Sequence, residues 1–212
     1  FSALAKLGDN DGDRRDNLTA MKICLQGLDA YAANLASEAL RLAGAERDDA
    51  RREELERLGR VCSRVPVNPA RTLDEAVNAL WITWVGLHME NTNTGLSLGR
   101  LDQWLQPYFA ADMESLATEE EREAYLRHAI ELAGCLFMRG TDHLPLVPDI
   151  GNYLFGGSSS DQAITLGGVT LDGEDGVNDM TYIMLKVTEM LSIRDPNVNA
   201  RYHPGINSET YL

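Results

Sequence analysis

The last third of the chain alternates between strand-like and helical segments, and this pattern constrains the fold most. Residues 163–166 and 197–203 read as two short strands, and the second is entered through Pro196. Between them, apolar residues recur at helical spacing behind Asp175, the expected N-cap: Val177, Met180, Met184, Val187 and Leu191. A strand, a helix and a second strand form a right-handed βαβ unit when the strands lie parallel in one sheet. The pattern therefore predicts an α/β fold.

The first 140 residues are mainly helical in pattern. One apolar stripe with spacings of three and four predicts a long first helix that ends near Gly44: Leu18, Met21, Leu25, Leu28, Ala32, Leu35, Ala39 and Leu42. A second helix is predicted from about Arg47 to Cys62. Its outer face is charged, and four of its residues are expected to point inward: Leu55, Leu58, Val61 and Cys62.

Two capping boxes begin two further helices, at Thr72 with Glu75 and at Thr118 with Glu121. The first of these helices is expected to bury Val77, Leu80, Trp81, Trp84, Val85 and Leu87. The second is expected to run to about Met138 and to bury Leu126, Ile130, Ala133, Leu136 and Phe137. The two tryptophans are the largest of these side chains, and we expect both to be largely buried.

Charge and cysteine content exclude several classes of protein. A formal net charge of −14 argues against nucleic acid and anionic membranes as partners, because binding to them depends on Lys and Arg. No apolar run approaches the ~20 residues that cross a bilayer, so no membrane association is expected. Cys24, Cys62 and Cys135 are widely spaced and odd in number, which favours reduced thiols in the cytoplasm over disulfides or a zinc site.

Several familiar kinds of site lack support. The carboxylates around Gly12 (Asp9, Asp11 and Asp13) fail the EF-hand spacing and indicate a solvated acidic turn. Neither Gly156-Gly157 nor Gly167-Gly168 has the spacing of a nucleotide-binding loop. The four histidines, His88, His128, His143 and His203, include no pair spaced i,i+4, so no metal site is expected. No serine lies in a GxSxG context, so a hydrolase triad is unsupported as well.

Arg201 and His203 are the candidate substrate-binding residues. They would share one face of the second predicted strand, near its C-terminal end. Ligands bind at that end of the strands in parallel α/β structures. A guanidinium there can hold a carboxylate in bidentate fashion. The alternative is a structural role, as a buried ion pair or as core residues with satisfied hydrogen bonds.

The block Ser-Leu-Gly-Arg-Leu-Asp-Gln-Trp-Leu-Gln-Pro-Tyr at residues 97–108 resembles one found in glycyl radical enzymes, the pyruvate formate-lyase-like family. There a helix is followed by Ser-x-Gly-Arg-x-Asp-Gln-x-Leu-x-Pro-Tyr or a close variant. Further ordered similarities extend the resemblance from about Arg14 to His203; they lie in residues 61–76, in residues 166–178 and in residues 195–203. Because the block is dense in turn formers, we expect Arg100 and Asp102 to hold the turn at Gly99 through hydrogen bonds.

The resemblance implies a segment of a ten-stranded α/β barrel. It implies one partial domain over residues 1–212, with mainly outer helices in residues 1–140 and a βαβ portion of the barrel in residues 141–212. It also implies a lyase or formate acetyltransferase-type transferase of anaerobic metabolism in the cytoplasm. In such enzymes a glycyl radical, installed by a radical-SAM activating enzyme, generates a thiyl radical that abstracts hydrogen from a small polar substrate. The implied partners are the rest of the chain, the activating enzyme and a second copy in a homodimer.

The segments that carry this chemistry are missing from the sequence. It has no Gly-Cys-x-Glu-like loop and no Arg-Val-x-Gly-Tyr-like segment, and it begins at Phe1 rather than Met. We therefore expect a piece from the middle of the enzyme that holds no catalytic residue, binds no cofactor and is inactive alone. The alternative function is a non-catalytic helical module for protein interaction, because the stripe from Leu18 to Leu42 could pair with a partner helix.

Overall fold

The computed structural model describes residues 12–90, 96–142, 162–193 and 195–211. Within these ranges the helices are α1 Gly12–Ala45, α2 Asp49–Cys62, α3 Leu73–Glu90, α4 Leu101–Ser115, α5 Glu119–Asp142 and α6 Asp179–Leu191. The strands are β1 Ser97–Gly99, β2 Ala163–Gly167 and β3 Asn197–Arg201, and a 3₁₀ turn spans Glu209–Tyr211. The chain is a helix-rich α/β structure, as predicted.

The three strands form one parallel sheet in the order β1-β2-β3. β2 and β3 pair in continuous register from Ala163↔Asn197 to Gly167↔Arg201. The predicted pair of parallel strands with a helix between them is confirmed. β1 was not predicted, because a three-residue strand is too short to show an alternating pattern. It joins the sheet where Ser97 pairs with Ala163.

The chain divides into two compact units. Unit 1 comprises Phe1–Ala70 and Asn78–Gly86, and unit 2 comprises Arg71–Val77 and Leu87–Leu212. In unit 1, α1 and α2 pack together around a small core with the middle of α3. Its buried members are Ala32, Ala36, Cys62 and Ile82, and Leu28, Tyr31 and Leu35 pack against them.

The buried face of α1 differs from the predicted stripe. It consists of alanines at spacings of three and four, namely Ala32, Ala36, Ala39 and Ala43. Met21, Leu25 and Leu42 belong to the predicted stripe but are exposed. Small residues let two helices approach closely: a Cβ added to Gly59 on α2 would lie 2.7 Å from Cγ of Leu40. Hydrophobic periodicity marks where apolar residues recur, but it does not distinguish this small-residue face from the leucines beside it.

The inward faces of the other helices were predicted in part. Trp84, Val85 and Val77 of α3 are buried, whereas Trp81 is half-buried and stacks on Trp84 with 4.8 Å between ring centroids. Ala133, Leu136 and Phe137 of α5 are buried as well. Three residues predicted to point inward are exposed, namely Leu58, Leu87 and Leu126. Each is a leucine at the margin of an apolar face, where helical spacing alone does not determine burial.

In unit 2, helices cover one side of the sheet. α4 contacts β2 and α6, and α5 contacts α4 and α6. Ile164 and Leu166 of β2 and Met184 of α6 are fully buried. Side chains alternate between the two faces of a strand, so Thr165, between Ile164 and Leu166, faces the other way. The core of unit 2 therefore lies on the Ile164 and Leu166 side of the sheet.

Of the three predicted helix caps, both halves of the capping box are shown at α5, one half is shown at α3, where the Glu75 carboxylate accepts from the Arg71 N–H, and the third prediction fails. At α5, the Thr118 hydroxyl accepts from the Glu121 backbone N–H at 3.2 Å and the Glu121 carboxylate accepts from the Thr118 N–H at 2.9 Å. At α3, the Thr72 hydroxyl accepts from the Glu75 N–H at 3.2 Å. The prediction of Asp175 as the cap of α6 is wrong. Asn178 caps α6 in a reciprocal pair with Thr181, because the helix begins at Asp179, four residues beyond Asp175.

Candidate functional site

The C-terminal edge of the parallel sheet is the candidate site. β1 ends at Gly99, β2 at Gly167 and β3 at Arg201, and these ends share one edge because the strands are parallel. Ligands of open α/β sheets bind outside the C-terminal ends of the strands. Polar side chains that follow each strand therefore meet at this edge.

Arg100 follows β1 and ties it to the chain that leaves β2. Its guanidinium donates from Nη1 to the carbonyl oxygen of Val169 at 2.7 Å and from Nη2 to that of Gly167 at 2.5 Å. A Cβ added to Gly176 would stand 2.7 Å from Arg100 Nη2, so only glycine leaves room for the guanidinium there. The predicted structural role of Arg100 is confirmed.

Asp102 lies in the first turn of α4 and is fully buried. Its Oδ2 accepts from the Gly167 N–H and from the Thr181 hydroxyl, both at 2.7 Å. Its Oδ1 accepts from the Gln103 N–H at 2.8 Å. A buried carboxylate is tolerated when its oxygens are satisfied in this way. Asp102 therefore joins α4, β2 and α6, and the prediction that it holds the structure through hydrogen bonds is confirmed.

Gly167 and Gly168 form the turn that leaves β2. Their φ angles of 63° and 77° lie in the left-handed region that favours glycine. A Cβ on Gly167 would stand 2.6 Å from Cζ of Tyr211, and one on Gly168 would stand 3.0 Å from Cβ of Arg201. This turn needs glycine for its backbone conformation and for the two side chains packed against it.

Asn207 joins this turn to the segment that follows β3. Its amide donates to the carbonyl of Gly168 at 2.8 Å and to Oδ1 of Asp175 at 2.6 Å, and its Oδ1 accepts from the His203 N–H at 2.7 Å. The pKa of the Asp175 carboxyl is lowered, mainly by the Val177 N–H and also by the Asn207 amide. Asp175 therefore fastens this edge of the sheet rather than capping α6.

Arg201 and His203 lie at the same edge, but they do not share a strand. β3 ends at Arg201, two residues earlier than predicted, and His203 lies in the segment that follows. The strand ends there because Asn207 takes the His203 backbone N–H. Both side chains are exposed in this chain, unlike a buried ion pair. Among the described residues, Arg201 forms no ion pair.

A second polar cluster lies where α3, α4 and α5 meet in unit 2. Asp112 Oδ2 accepts from the Leu73 N–H at 2.8 Å and from the Tyr125 hydroxyl at 2.5 Å. His128 Nε2 lies 2.9 Å from Oδ2 of Asp74. Burial and the neighbouring Asp112 carboxylate raise the pKa of Tyr125. The cluster anchors the start of α3 and is partly buried, which indicates a structural role.

We expect Tyr125→Phe to lower the free energy of unfolding by about 1.5–3 kcal/mol at neutral pH, the range for a hydrogen bond to a charged group. Because the pKa of Tyr125 is higher in the folded state, its contribution is complete below the unfolded-state pKa of about 10 and is lost as the pH rises toward the folded-state value. Urea denaturation of wild type and variant at several pH values measures this. Wild type should lose more stability above about pH 10 than Tyr125→Phe.

Tyr182→Phe is the control, since Tyr182 is exposed on α6. It should change neither the free energy of unfolding at neutral pH nor the loss of stability above about pH 10. An equal alkaline loss in wild type and Tyr125→Phe would show that the Tyr125 hydroxyl does not carry the effect.

The other residues singled out in the sequence are the cysteines, a histidine, a glycine pair and the acidic residues near Gly12. Cys24, Cys62 and Cys135 are free thiols, and burial raises the pKa of Cys62. His143 and Gly156-Gly157 lie outside the described residues, as do Asp9 and Asp11, while Asp13 lies in α1. Among the residues described, no three His, Cys, Asp or Glu side chains are grouped as metal ligands. Within the same residues no helix is long and apolar enough to cross a membrane.

Sequence reasoning missed Asn207, Thr181 and Tyr211 at the site. Tyr211 donates its hydroxyl proton to the Leu166 carbonyl at 3.3 Å, and burial raises its pKa. The residues around Asn207 have the composition of an ordinary loop, so no spacing in the sequence signals its three hydrogen bonds. Thr181 could have been found, because an Asn three residues before a Thr is a possible capping pair.

Comparison with known proteins identifies the relatives of this chain. A pyruvate formate lyase-like family model matches residues 2–212. An isethionate sulfite-lyase of Nitratidesulfovibrio vulgaris is 34% identical over 203 residues, which are 94% of this chain and 24% of that protein. A (2S)-3-sulfopropanediol dehydratase of Klebsiella oxytoca is 32% identical over 211 residues, which are 95% of this chain and 24% of that protein. The chain thus spans about a quarter of the length of these relatives.

A solved structure gives the same picture. The crystal structure of a glycyl radical enzyme from Archaeoglobus fulgidus superposes with a TM-score of 0.83 at 32% identity. The match covers 99% of this chain and 26% of that one. Fold and sequence therefore point to the same group of proteins.

Proposed function

The chain belongs to the pyruvate formate lyase-like family, and from this membership we propose that it is a segment of a glycyl radical enzyme acting on a small polar substrate. The proposed reaction is a lyase or dehydratase reaction, in which one bond of the substrate is cleaved or a group is eliminated. The observation that carries the proposal is the 34% identity with an isethionate sulfite-lyase over 94% of this chain.

The segment would depend on the rest of the enzyme. We propose that residues 1–212 are one partial domain and that the three parallel strands belong to a ten-stranded α/β barrel. The glycyl radical, where the complete enzyme carries it, supplies hydrogen-atom abstraction through an active-site thiol. The sequence contains neither the Cys-loop context nor the radical-glycine context, so the segment alone should be inactive. The complete enzyme would be activated by a radical-SAM enzyme and would form a homodimer. It would act in the cytoplasm, in anaerobic metabolism. The alternative reaction is a group transfer of the formate acetyltransferase type.

The task of this segment would be to bind and orient the substrate. Arg201 stands at the C-terminal end of β3, exposed and without an ion pair among the described residues. A guanidinium can hold a carboxylate or sulfonate with two parallel hydrogen bonds. His203 lies two residues further along the same edge and would add a polar contact. The hydrogen bonds of Arg100 and Asp102 would keep the Gly167–Gly168 turn in place beside Arg201.

The non-catalytic helical module finds less support. It predicts a purely helical chain, whereas three parallel strands lie within the described residues. One observation still favours the module: Met21, Ile23 and Leu25 on α1 are exposed and could contact a partner helix. A purely helical circular dichroism spectrum of the isolated chain, with cooperative melting, would favour that module.

Anaerobic activation of the complete enzyme tests the proposed function. The enzyme is produced with its radical-SAM activating enzyme, and the radical is measured by electron paramagnetic resonance. Isethionate and 3-sulfopropanediol are then supplied, and sulfite release and dehydration are followed separately. A glycyl radical together with turnover of a small hydroxylated substrate is expected. Absence of the radical after treatment with the activating enzyme would contradict the proposal.

We expect Arg201→Ala in the complete enzyme to lower kcat/KM at least about tenfold, because a hydrogen bond to a charged group contributes roughly 1.5–3 kcal/mol. The glycyl radical should still form to its normal level, since Arg201 binds substrate and takes no part in activation. Steady-state kinetics and electron paramagnetic resonance measure the two effects separately.

Arg127→Ala is the matched control, because Arg127 is an exposed arginine on α5 that pairs with Glu123. It should leave both measurements unchanged. Unaltered kinetics in Arg201→Ala would assign Arg201 a structural role, and loss of the radical signal would indicate damage to the fold.

A further inference from the structure

The two faces of the parallel sheet differ in chemistry. On the helix-covered face, Ile164 and Leu166 of β2 are fully buried, and the apolar residues Val198 (half-buried) and Ala200 (exposed) of β3 pair with them. The opposite face carries the alternate residues of both strands in paired register: Ala163 with Asn197, Thr165 with Asn199, and Gly167 with Arg201. The three β3 residues of this second face are polar and exposed, and Thr165 is half-buried; since Ala200 is exposed as well, the faces of β3 differ in residue type and not in burial. We call this second face the polar face.

A polar face is unusual in a parallel sheet. Such sheets normally bury both faces under apolar residues, and the interior of a parallel barrel is filled mostly by Val, Ile and Leu. Asn and Arg would lose their hydration under an apolar layer without gaining partners, which is costly. The polar face is therefore suited to a water-filled or ligand-filled space and not to another apolar layer.

Three side chains of the polar face form a compact group at its C-terminal end. Thr165 and Asn199 are direct neighbours on adjacent strands, about 5 Å apart at Cα, and Arg201 follows Asn199 on the same face about 7 Å further along. Gly168 borders the group, because a Cβ there would stand 3.0 Å from Cβ of Arg201 and 3.7 Å from its Nε. The group thus combines a hydroxyl, an amide and a guanidinium.

These three side chains retain their hydrogen-bonding capacity. Among the described residues, Arg201 has no carboxylate partner, and the Thr165 hydroxyl forms no hydrogen bond. The Asn199 amide forms one long contact of 3.5 Å to the Asn197 carbonyl. The chain carries a net charge of −14, and Arg201 nevertheless has no acidic partner among the described residues. Its charge is available for an anion.

We propose that Thr165, Asn199 and Arg201 form one subsite that selects a substrate carrying both an anionic group and a hydroxyl. Arg201 binds the anion, and Thr165 and Asn199 form hydrogen bonds with the hydroxyl. The inference rests on the proposed function, in which this sheet binds substrate, and extends it to a substrate class and two specificity-determining residues. Neutral diols lack the group that Arg201 binds, so they bind more weakly.

The binding of ligands to the complete enzyme tests the proposed subsite. It is measured before activation, so no radical is needed. Isothermal titration calorimetry compares isethionate with ethane-1,2-diol, in which a hydroxyl replaces the sulfonate. Thr165→Val removes only the hydroxyl, and Asn199→Leu removes the amide at similar volume. Asn197→Leu is the matched control, because it makes the same change on the same face of β3 at the far end from Arg201. Circular dichroism spectra confirm that each variant is folded.

Wild type should bind isethionate at least about tenfold more tightly than the diol, since the diol lacks a charge-assisted hydrogen bond. Thr165→Val and Asn199→Leu should each weaken isethionate binding several-fold, and Asn197→Leu should not. Equal binding of the two compounds, no binding of isethionate, or equal losses in Asn199→Leu and Asn197→Leu would overturn the inference. Failure of the proposed function is recognised separately, as the absence of a glycyl radical after activation.

Discussion

Replacing Asp102 with alanine is expected to lower the free energy of unfolding by about 3–5 kcal/mol, because each hydrogen bond to a charged group contributes about 1.5–3 kcal/mol and two such bonds at 2.7 Å are lost. The carboxylate is fully buried and accepts from the Gly167 N–H and the Thr181 hydroxyl, both at 2.7 Å. Alanine removes the Asp102 acceptor from the Gly167 N–H and leaves the Thr181 hydroxyl with only its longer contact of 3.3 Å to Oδ1 of Asn178. The effect lies at the upper end of those caused by single substitutions.

Urea denaturation of the 212-residue chain, followed by circular dichroism, measures this loss. Asp102→Asn keeps the shape and one oxygen acceptor and should lose less stability than the alanine variant. Asp172→Ala is the control for the removal of an exposed carboxylate, with an expected change within about 0.5 kcal/mol. Similar results for Asp102→Ala and Asp172→Ala would show that the network around Asp102 does not stabilise the sheet.

Trp84→Ala should also lower the free energy of unfolding by about 3–5 kcal/mol, as core aromatic residues do. Trp84 is 3% exposed and stacks on Trp81, so its removal leaves a cavity and ends the ring contact. The same denaturation experiment measures the effect.

Trp104→Ala provides the matched control. Trp104 lies on α4 and is 69% exposed, so the same substitution there should change the stability by less than about 0.5 kcal/mol. A loss below about half a kcal/mol in Trp84→Ala would contradict the burial of this side chain in solution.

Much of the fold could be predicted from the sequence because its signals are local. The capping box at Thr118 fixes the start of α5, and the strand–helix–strand pattern gives β2, α6 and β3 in parallel order. The faces of the helices were harder to predict. α1 buries a row of alanines, and its larger apolar residues Met21 and Leu25 stay exposed. Helical periodicity does not distinguish these two sets of residues.

The candidate site could be predicted in part, because the end of the second strand indicated Arg201 and His203 and a motif indicated two further residues. Arg100 and Asp102 were assigned a structural role from the density of turn formers around Gly99, and their hydrogen bonds confirm it. Asn207 was missed because its partners, Gly168 and Asp175, are more than 30 residues away in sequence. The polar face was missed for a similar reason: it depends on the register between β2 and β3, which only the folded sheet defines.

We propose that the polar face of this sheet lines the substrate chamber of a glycyl radical enzyme. An anaerobic crystal structure of the complete enzyme with bound isethionate tests it most directly. We expect the sulfonate within hydrogen-bonding distance of the Arg201 guanidinium, with Thr165 and Asn199 facing the same cavity. A structure in which the polar face packs against other parts of the protein, with the ligand bound elsewhere, would contradict it.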